Sequence, residues 1–220
     1  MNASMDAPAN IDVVIVDYGL GNLLSVQRAV EEMGGTPLVT SDPEQVRMAS
    51  RLILPGVGAF GDGMTGLRER GLVSPLQAAA ARGVPFLGIC LGMQLMMGVG
   101  QEFGSHEGLD LIPGRVVAVP ATGTDGHPHR VPHIGWNTLL PGSAQWEGSV
   151  LKDTQPGQSV YFVHSYMAEL SEAAHCVAVT DYDGVRIPAV IRHGSLSGCQ
   201  FHPERSGPVG LRILKNFLTS

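Results

Sequence analysis

Residues 85–95 read PFLGICLGMQL, and they carry an apolar run directly into a pattern with helical spacing. Within them, GICLG (88–92) has the layout of the nucleophile elbow GxSxG, with Cys90 in place of the serine. Flanking glycines suit such a turn, because the backbone of the nucleophile is strained and the turn packs close to neighbouring chain. A helix start also favours a thiolate through its dipole. The alternative, a small buried cysteine between packing glycines, stays open on the pentapeptide alone.

The alternation of strand and helix extends outward from this stretch. The apolar run DVVIVD (12–17) precedes a helical pattern with Asn22 as its cap and Gly34 as its stop. The runs TPLVT and RLILPG follow, then a glycine-broken helical stretch up to Arg82, and after Cys90 we expect a helix through LGMQLMMGV (91–99). Apolar strands that alternate with helices predict a parallel sheet covered on both faces.

The second half of the chain changes character. Five β-type runs precede a closing helix near 209–218: LIPGRVVAVP, SVYFVHSY, HCVAVTDY, RIPAVIRH and LSGCQFHP. We therefore predict an α/β domain over 11–220, in which a mixed, largely parallel central sheet carries helices on both faces and an antiparallel extension. A flexible tail, 1–10, precedes it, and ATGTDGHPHR (121–130) is the most loop-like stretch.

Composition excludes several classes of protein. The 220 residues contain 20 Asp and Glu against 14 Lys and Arg, a formal net charge of −6, which argues against nucleic acid as the main ligand. The apolar runs are far shorter than the roughly 20 residues of a membrane helix, and the first ten residues lack the apolar core of a signal peptide. Cys90, Cys176 and Cys199 form no CxxC pair and favour a reducing, cytoplasmic location.

A cysteine nucleophile needs a base and a group that orients the base, and residues 201–204 (FHPE) offer both. In an extended segment, His202 and Glu204 project to one side, and the intervening proline favours that conformation. The alternative is a surface histidine beside a solvated glutamate. Cys176 and Cys199 lie within apolar β-type runs without flanking glycines, so we interpret them as core residues.

Two further patterns have competing interpretations. Gly56, Gly58 and Gly61 match GxGxxG, but no acidic residue follows at the distance that a ribose-binding site requires. We prefer a glycine loop that offers a backbone N–H near Val57 to an oxyanion, together with the N–H of Leu91. The second pattern is His127, His129 and His133, which suggests a metal, but prolines separate these histidines and no Cys or acidic ligand is near; we expect no metal and no cofactor.

With these motifs identified, the sequence resembles the class I (triad-type) glutamine amidotransferases, which have a flavodoxin-like fold, and within them the glutaminase subunits of imidazole glycerol phosphate synthase. The resemblance runs from about Asp12 to the C-terminus. The segments that carry it are DYGLGNLLSV, LPGVGAF, PFLGICLGMQL, GLDLIPG, VPHIGWN, YFVHSY and QFHPERSGPVGL.

The resemblance implies a function and a set of roles. Cys90 would be the nucleophile, His202 the base and later the acid, and Glu204 the group that orients His202. Glutamine would be held by Gly58, Gln94, Glu102, His164, Ser165 and Tyr166. The ammonia released would pass to a (β/α)8-barrel cyclase subunit in histidine biosynthesis, and the heterodimer would form through a surface that includes Asn22, Trp136 and Arg205.

Rival hypotheses make different predictions. The segments VPHIGWN and YGLGN argue against amidotransferases of anthranilate, aminodeoxychorismate or GMP synthesis. A catalytically silent module would be expected to lose Cys90, His202 or Glu204, yet all three are present. A stand-alone cysteine hydrolase would need no partner.

The sequence departs from the family pattern at two positions. Arg205 stands where the family usually has Lys, which could alter an ion pair with the partner. Cys199 stands where an aliphatic residue is common.

Overall fold

The computed structural model describes residues 12–220, so the tail predicted at 1–10 lies outside the described residues. The first half alternates strands and helices: β1 (Val13–Val16), α1 (Leu23–Glu32), β2 (Pro37–Thr40), α2 (Pro43–Met48), β3 (Leu52–Gly56), α3 (Phe60–Glu69), α4 (Val73–Ala81), β4 (Phe86–Cys90) and α5 (Leu91–Leu95). The second half is mostly strands: β5 (Met97–Gly100), β6 (His106–Glu107), β7 (Ile112–Ala118), β8 (His133–Thr138), β9 (Leu140–Pro141), β10 (Ser159–His164), β11 (Tyr166–Leu170), β12 (Cys176–Tyr182), β13 (Val185–His193), β14 (Leu196–Cys199), and then helix α6 (Gly207–Leu218).

Eight strands form the central sheet in the order β2-β1-β3-β4-β14-β13-β12-β9. The first five are parallel to their neighbours, and the last three pair antiparallel. A four-stranded sheet (β11-β7-β5-β6) and a two-stranded ribbon (β10-β8) stand beside it. The predicted fold class, a largely parallel sheet with an antiparallel extension, is confirmed. The centre of the eight-stranded sheet is the β4-β14 pair, in which a strand from the middle of the chain lies beside the last strand.

Both faces of the sheet are buried, because successive side chains of a strand point to opposite sides. On β1, Val13 and Ile15 join the core beneath α1 and α6, whereas Val14 and Val16 join the core beneath α3 and α4. All four side chains are at most 4% exposed. This two-sided burial explains why the strands of the first half are apolar throughout instead of alternating with polar residues.

The helix predicted over 91–99 is wrong in its second half. Helix α5 ends at Leu95, and residues 97–100 form β5, which pairs with β7. The carbonyl of Leu95 accepts the N–H of Leu109, so the returning chain satisfies the end of the helix. Gly98 and Gly100 disfavour a helix, and a Cβ at Gly100 would lie 2.4 Å from the ring of Phe60.

Several elements were not predicted: helix α2, the strands β6, β8, β9 and β11, and two short 3₁₀ turns at 173–175 and 203–205. Helix α2 begins after Asp42, whose side chain accepts the N–H of Glu44 at 2.9 Å, with Pro43 as the first helical residue. That cap is a recognisable signal in the sequence. Strand β8 was also missed, although it pairs with β10 along its whole length. None of the helices within residues 12–220 has the length and apolar character that a membrane crossing requires.

Candidate active site

The turn from β4 to α5 holds Cys90 in a strained conformation. Its φ of 53° lies in the left-handed region that non-glycine residues rarely adopt. The flanking glycines are required by close packing: a Cβ at Gly88 would lie 2.7 Å from the backbone of Met93, and one at Gly92 would lie 1.7 Å from the carbonyl oxygen of Leu54. The geometry is that of a nucleophile elbow, with the thiol at the carboxyl end of a central strand.

The other two cysteines lie in different surroundings. Cys199 is fully buried, and burial, with a smaller contribution from the charge of Glu204, raises the pKa of its thiol. Burial also raises the pKa of Cys176. A raised pKa leaves little thiolate near neutral pH, so both thiols are poor nucleophiles.

His202 follows β14, the strand beside β4, so it stands at the same edge of the sheet as Cys90. Its Nδ1 donates to Glu204 Oε1 at 2.8 Å, and the Glu204 side chain is only 1% exposed. The backbone of His202 is tied to β10, since its N–H donates to the Tyr161 carbonyl at 3.0 Å. Ser206 Oγ completes the link, donating to the His202 carbonyl at 2.6 Å and accepting the Tyr161 N–H at 2.9 Å.

Burial alone would lower the pKa of the His202 imidazole. Interaction with a Cys90 thiolate and with the Glu204 carboxylate outweighs burial and raises that pKa to about 10. Nε2 of His202 has no hydrogen-bond partner among residues 12–220, so it is free to face the thiol or a substrate. The arrangement stabilises a positively charged imidazole at His202, the partner that a cysteine hydrolase places beside its nucleophile.

A cavity of about 290 Å³ opens in front of Cys90. Every residue that we predicted as nucleophile, oxyanion donor or glutamine ligand lines it, and the lining also includes two residues that sequence reasoning missed, Pro132 and Val163. The predicted residues are Val57, Gly58, Cys90, Leu91, Gln94, Glu102, His164, Ser165 and Tyr166. Segments that are far apart in the sequence therefore meet in one small pocket.

Within the pocket wall, Gln94 is held in place from two sides. Its Nε2 donates to the Tyr166 carbonyl at 2.9 Å and to Gln200 Oε1 at 3.1 Å. Gln200 in turn donates to Cys90 Sγ at 3.8 Å. A hydrogen-bonded path thus joins the wall of the pocket to the thiol of Cys90.

Glu102 has a structural contact of its own, because its Oε2 accepts the N–H of Phe60 at 2.7 Å. Phe60 is the first residue of α3, so a carboxylate occupies the helix N-terminus that a GxGxxG motif would offer to a phosphate. The dinucleotide interpretation of Gly56, Gly58 and Gly61 is disfavoured for this reason.

Two of the segments that line the pocket, at Leu91 and at 57–58, carry the backbone N–H groups that we predicted as oxyanion donors. Leu91 is the first residue of α5, and the N–H groups of a first helical turn have no partner within the helix. In the other segment, Gly58 has a φ of +102°, a conformation that favours glycine. A Cβ at Gly56 would lie 2.0 Å from the buried hydroxyl of Tyr18, so close packing also fixes this residue as glycine.

His133 is a part of the site that the sequence did not reveal as such. Its Nδ1 lies 3.1 Å from Nε2 of His164, and Nδ1 of His164 donates to the Tyr166 carbonyl at 2.9 Å. Burial is the main cause that lowers the pKa of both imidazoles to about 4. Among residues 12–220, no group of three His, Cys, Asp or Glu side chains is arranged to hold a metal ion.

These two histidines predict a pH dependence of stability. Their pKa values fall from 6.5 in the unfolded chain to about 4 on folding, so between these values the unfolded chain binds more protons. The free energy of unfolding should therefore drop by about 2 kcal/mol for each histidine between pH 7 and pH 5, and by about 3–4 kcal/mol for the pair. Urea unfolding at pH 7 and at pH 5 measures this difference in unfolding free energy. The difference should be smaller in the variant His133→Gln. An equal difference in the two proteins would contradict the assignment. The raised pKa of His202 has the opposite effect on stability: its contribution is fully present below pH 6.5 and is lost as the pH rises toward 10.

The three residues predicted at a partner interface lie on the surface. Asn22 caps α1, accepting the N–H of Ser25 at 3.4 Å. Trp136 is 59% exposed, and its ring meets that of Tyr161 edge-on at 6.1 Å. The Arg205 guanidinium lies over the ring of the same Tyr161, 4.9 Å from its centre. With Ile134, also 59% exposed, Trp136, Tyr161 and Arg205 form what we call the ribbon patch.

Comparison with known families agrees with this geometry. The family model described as "Glutamine amidotransferase class-I" matches residues 14–220. The chain belongs to this family. The resemblance expected from the sequence motifs is thereby confirmed.

Relatives of this amidotransferase narrow the comparison. The imidazole glycerol phosphate synthase subunit HisH 1 of Legionella pneumophila (strain Paris) is 53% identical over 208 residues, which are 94% of this chain and 98% of that protein. The HisH subunit of Carboxydothermus hydrogenoformans is 48% identical over 203 residues, 92% of this chain and 96% of that protein. Among solved structures, PurLQS from Thermotoga maritima is similar in fold, with a TM-score of 0.70 at 19% identity over 94% of this chain and 97% of that one.

Proposed function

We propose that this amidotransferase is the glutaminase subunit of an imidazole glycerol phosphate synthase. It hydrolyses glutamine to glutamate and ammonia and delivers the ammonia to a cyclase subunit, which makes imidazole glycerol phosphate and AICAR in histidine biosynthesis. The observation that carries the proposal is the strained Cys90 at the end of β4, beside the buried pair of His202 and Glu204 at the end of the neighbouring strand.

The first half of the reaction forms a thioester. The Cys90 thiolate attacks the side-chain carboxamide carbon of glutamine, and the electron pair moves to the oxygen, which accepts hydrogen bonds from the N–H groups of Leu91 and Val57. His202 then donates its Nε2 proton to the departing nitrogen. The C–N bond breaks, ammonia leaves, and a γ-glutamyl thioester remains on Cys90.

The second half restores the enzyme. Neutral His202 takes a proton from a water molecule, and the resulting hydroxide attacks the thioester carbon. The C–S bond breaks, glutamate leaves, and the thiolate and imidazolium are re-formed. Glu204, hydrogen-bonded to Nδ1, keeps the imidazole oriented and stabilises its positive charge in both halves.

The pocket wall supplies the groups that hold glutamine. We assign this role to Gly58, Gln94, Glu102, His164, Ser165 and Tyr166, all of which line the cavity. Of these, Glu102 is already engaged with the N–H of Phe60, so it reaches glutamine only through its other oxygen. We place the reaction in the cytoplasm, where a reducing environment suits the three free thiols of the chain.

We infer the surface that binds the cyclase from the exposed apolar and cationic side chains of the ribbon patch. Large exposed aromatic side chains with an arginine are typical of protein interfaces, and the ribbon patch combines Trp136 with Arg205. It lies directly beside the triad, because Tyr161 contacts both Arg205 and the backbone of His202. We infer that the cyclase docks here and on the exposed start of α1 at Asn22, forming a heterodimer.

The role of Glu204 can be tested by Glu204→Gln. The amide oxygen still accepts from Nδ1 of His202, but the charge that stabilises the imidazolium is lost, so we expect kcat to fall about 10²–10³-fold. Steady-state glutaminase rates measure it. Glu172→Gln is the matched control, since Glu172 also stands near a histidine, His175 at 3.8 Å, but on the surface. A loss as large as that of Cys90→Ala would indicate a more direct role for Glu204.

The function itself is tested by the source of nitrogen. A purified cyclase subunit should form imidazole glycerol phosphate from an ammonium salt without this chain, but from glutamine only when this chain is added. If glutamine supports no product in the mixture, while the chain still transfers nitrogen to a different acceptor, another amidotransferase activity takes the place of this proposal.

A further inference from the structure

A chain of hydrogen bonds runs behind the pocket, from the ribbon strand β8 to the segment proposed to bind glutamine. The Asn137 Nδ2 lies 3.4 Å from Nε2 of His133, whose Nδ1 lies 3.1 Å from Nε2 of His164. His164 Nδ1 then lies 2.9 Å from the carbonyl oxygen of Tyr166. Four residues from the three strands β8, β10 and β11 are thereby joined in series.

The chemistry of the two ends fixes the direction of every hydrogen bond. The Tyr166 carbonyl only accepts, so Nδ1 of His164 carries the hydrogen. With pKa values near 4, both imidazoles are neutral at pH 7, so the Nε2 of His164 is an acceptor. His133 must then donate from Nδ1, and its own Nε2 accepts from Asn137.

Asn137 is anchored so that its nitrogen faces His133. Its Oδ1 accepts the N–H of Thr138 at 2.7 Å, and its Nδ2 donates to the Asp181 carbonyl at 2.8 Å. Reversing the amide would set donor against donor at Thr138 and acceptor against acceptor at Asp181. The asparagine therefore supplies a donor to His133, in agreement with the direction deduced from the Tyr166 end.

The series of hydrogen bonds continues from the Tyr166 carbonyl to the nucleophile. The Tyr166 carbonyl that accepts from His164 also accepts from Gln94, which contacts Gln200, which in turn contacts Cys90 Sγ. His133 itself is 3% exposed. Its ring stacks between Phe162, at 4.9 Å, and Tyr182, at 4.1 Å.

We propose that His133 is a positioning residue for the glutamine site: by donating from Nδ1 to His164, it holds the segment 164–166 in the conformation that binds substrate. The inference rests on the proposed function, because only a glutamine-binding role gives that segment a measurable task. His133 contacts no reacting atom in this account, and it acts through His164 and the Tyr166 carbonyl.

A purely structural role would come from the aromatic stack, and two substitutions separate the roles. His133→Phe keeps a ring between Phe162 and Tyr182 but removes the donor. His133→Asn loses the ring but keeps an N–H close to the position of Nδ1. If the donor matters, the KM for glutamine in the complex with the cyclase should rise about 10-fold in His133→Phe, with kcat within about 3-fold of wild type, and His133→Asn should recover most of the loss.

Nitrogen-15 NMR of the histidine side chains in the full chain provides a second readout. In the wild type, both His133 and His164 should be neutral and carry their hydrogen on Nδ1. In His133→Phe, the unprotonated Nε2 resonance of His164 should shift, because it loses its donor. This measurement needs no catalysis. Even where a variant fails to fold, the wild-type tautomers test whether His133 donates from Nδ1 to His164.

The outcomes are distinguishable. A normal KM in His133→Phe together with a raised KM in His133→Asn would overturn the proposal in favour of packing alone. Wild-type NMR that shows His133 protonated on Nε2 instead of Nδ1 would overturn it as well. If the wild-type complex hydrolyses no glutamine while the NMR signals agree with the predicted tautomers, the proposed function fails and the hydrogen-bond chain stands as structure alone.

Discussion

Replacement of Cys90 by Ala should abolish glutamine hydrolysis, with a fall in kcat of at least about 10⁴-fold, while the chain stays folded. No other group in the pocket wall can form the thioester, so the remaining rate would come from water acting on bound glutamine. The side chain of Cys90 is small and lies at the edge of a cavity, so the lost packing is minor. Glutaminase assays and thermal unfolding of both proteins measure the two parts of this prediction.

Chemical labelling tests the same assignment without mutation. A glutamine-derived electrophile should react with Cys90 and spare Cys176 and Cys199, because burial raises the pKa of both of those thiols. Cys176→Ala is the matched control, since it removes a thiol that takes no part in the reaction. Mass spectrometric mapping that finds the label on Cys176 or Cys199, with Cys90 unmodified, would overturn the assignment of the nucleophile.

The isolated chain should be a poor glutaminase, and addition of the cyclase with its nucleotide-like substrate should raise the rate about 10²–10³-fold. We propose that the physical switch lies at residues 56–58, where glycines on both sides of Val57 let one peptide unit rotate at low cost. Until the partner docks, the Val57 N–H can point away from the oxyanion. The loss of one oxyanion donor accounts for an effect of this size.

Removal of that N–H provides the control. Val57→Pro should bring the rate of the complex down to that of the free chain and change the free chain little, whereas Val57→Ala keeps the N–H and should be activated normally. The Val57 side chain is 42% exposed, so shortening it disturbs little packing. If the purified chain alone hydrolyses glutamine as fast as the complex does, the coupled-subunit proposal fails and a stand-alone hydrolase replaces it.

The sequence predicted those parts of the molecule that depend on local pattern. Strands β1, β3 and β4 are short apolar runs bounded by turn residues, and the elbow around Cys90 is spelled out by two glycines. Family motifs then supplied the pocket residues, which come from segments whose proximity the order of residues alone does not reveal. The end of α5 at Leu95 was missed because strand pairing with β7 overrides the helical spacing of 91–99.

His133 shows the other limit of sequence reasoning. Beside His127 and His129 it resembled a fragment of a metal site, and nothing nearby in the sequence indicated its partner. The contact with His164 spans 31 residues and exists only because β8 pairs with β10 in the register that places the two histidines opposite each other. A hydrogen-bond chain that depends on strand register leaves no periodic signal in the sequence.

The central position of β14 affects when a newly made chain becomes active. The first four strands of the sheet are complete once residue 90 has been synthesised, but the neighbour that brings the base beside Cys90 is the last strand, and 110 residues separate Cys90 from Gln200. Contacts of such long range form late in folding. We therefore expect a nascent polypeptide to carry Cys90 without His202, its proposed base, until β14 and the residues that follow it have been made, so that glutamine hydrolysis begins only then.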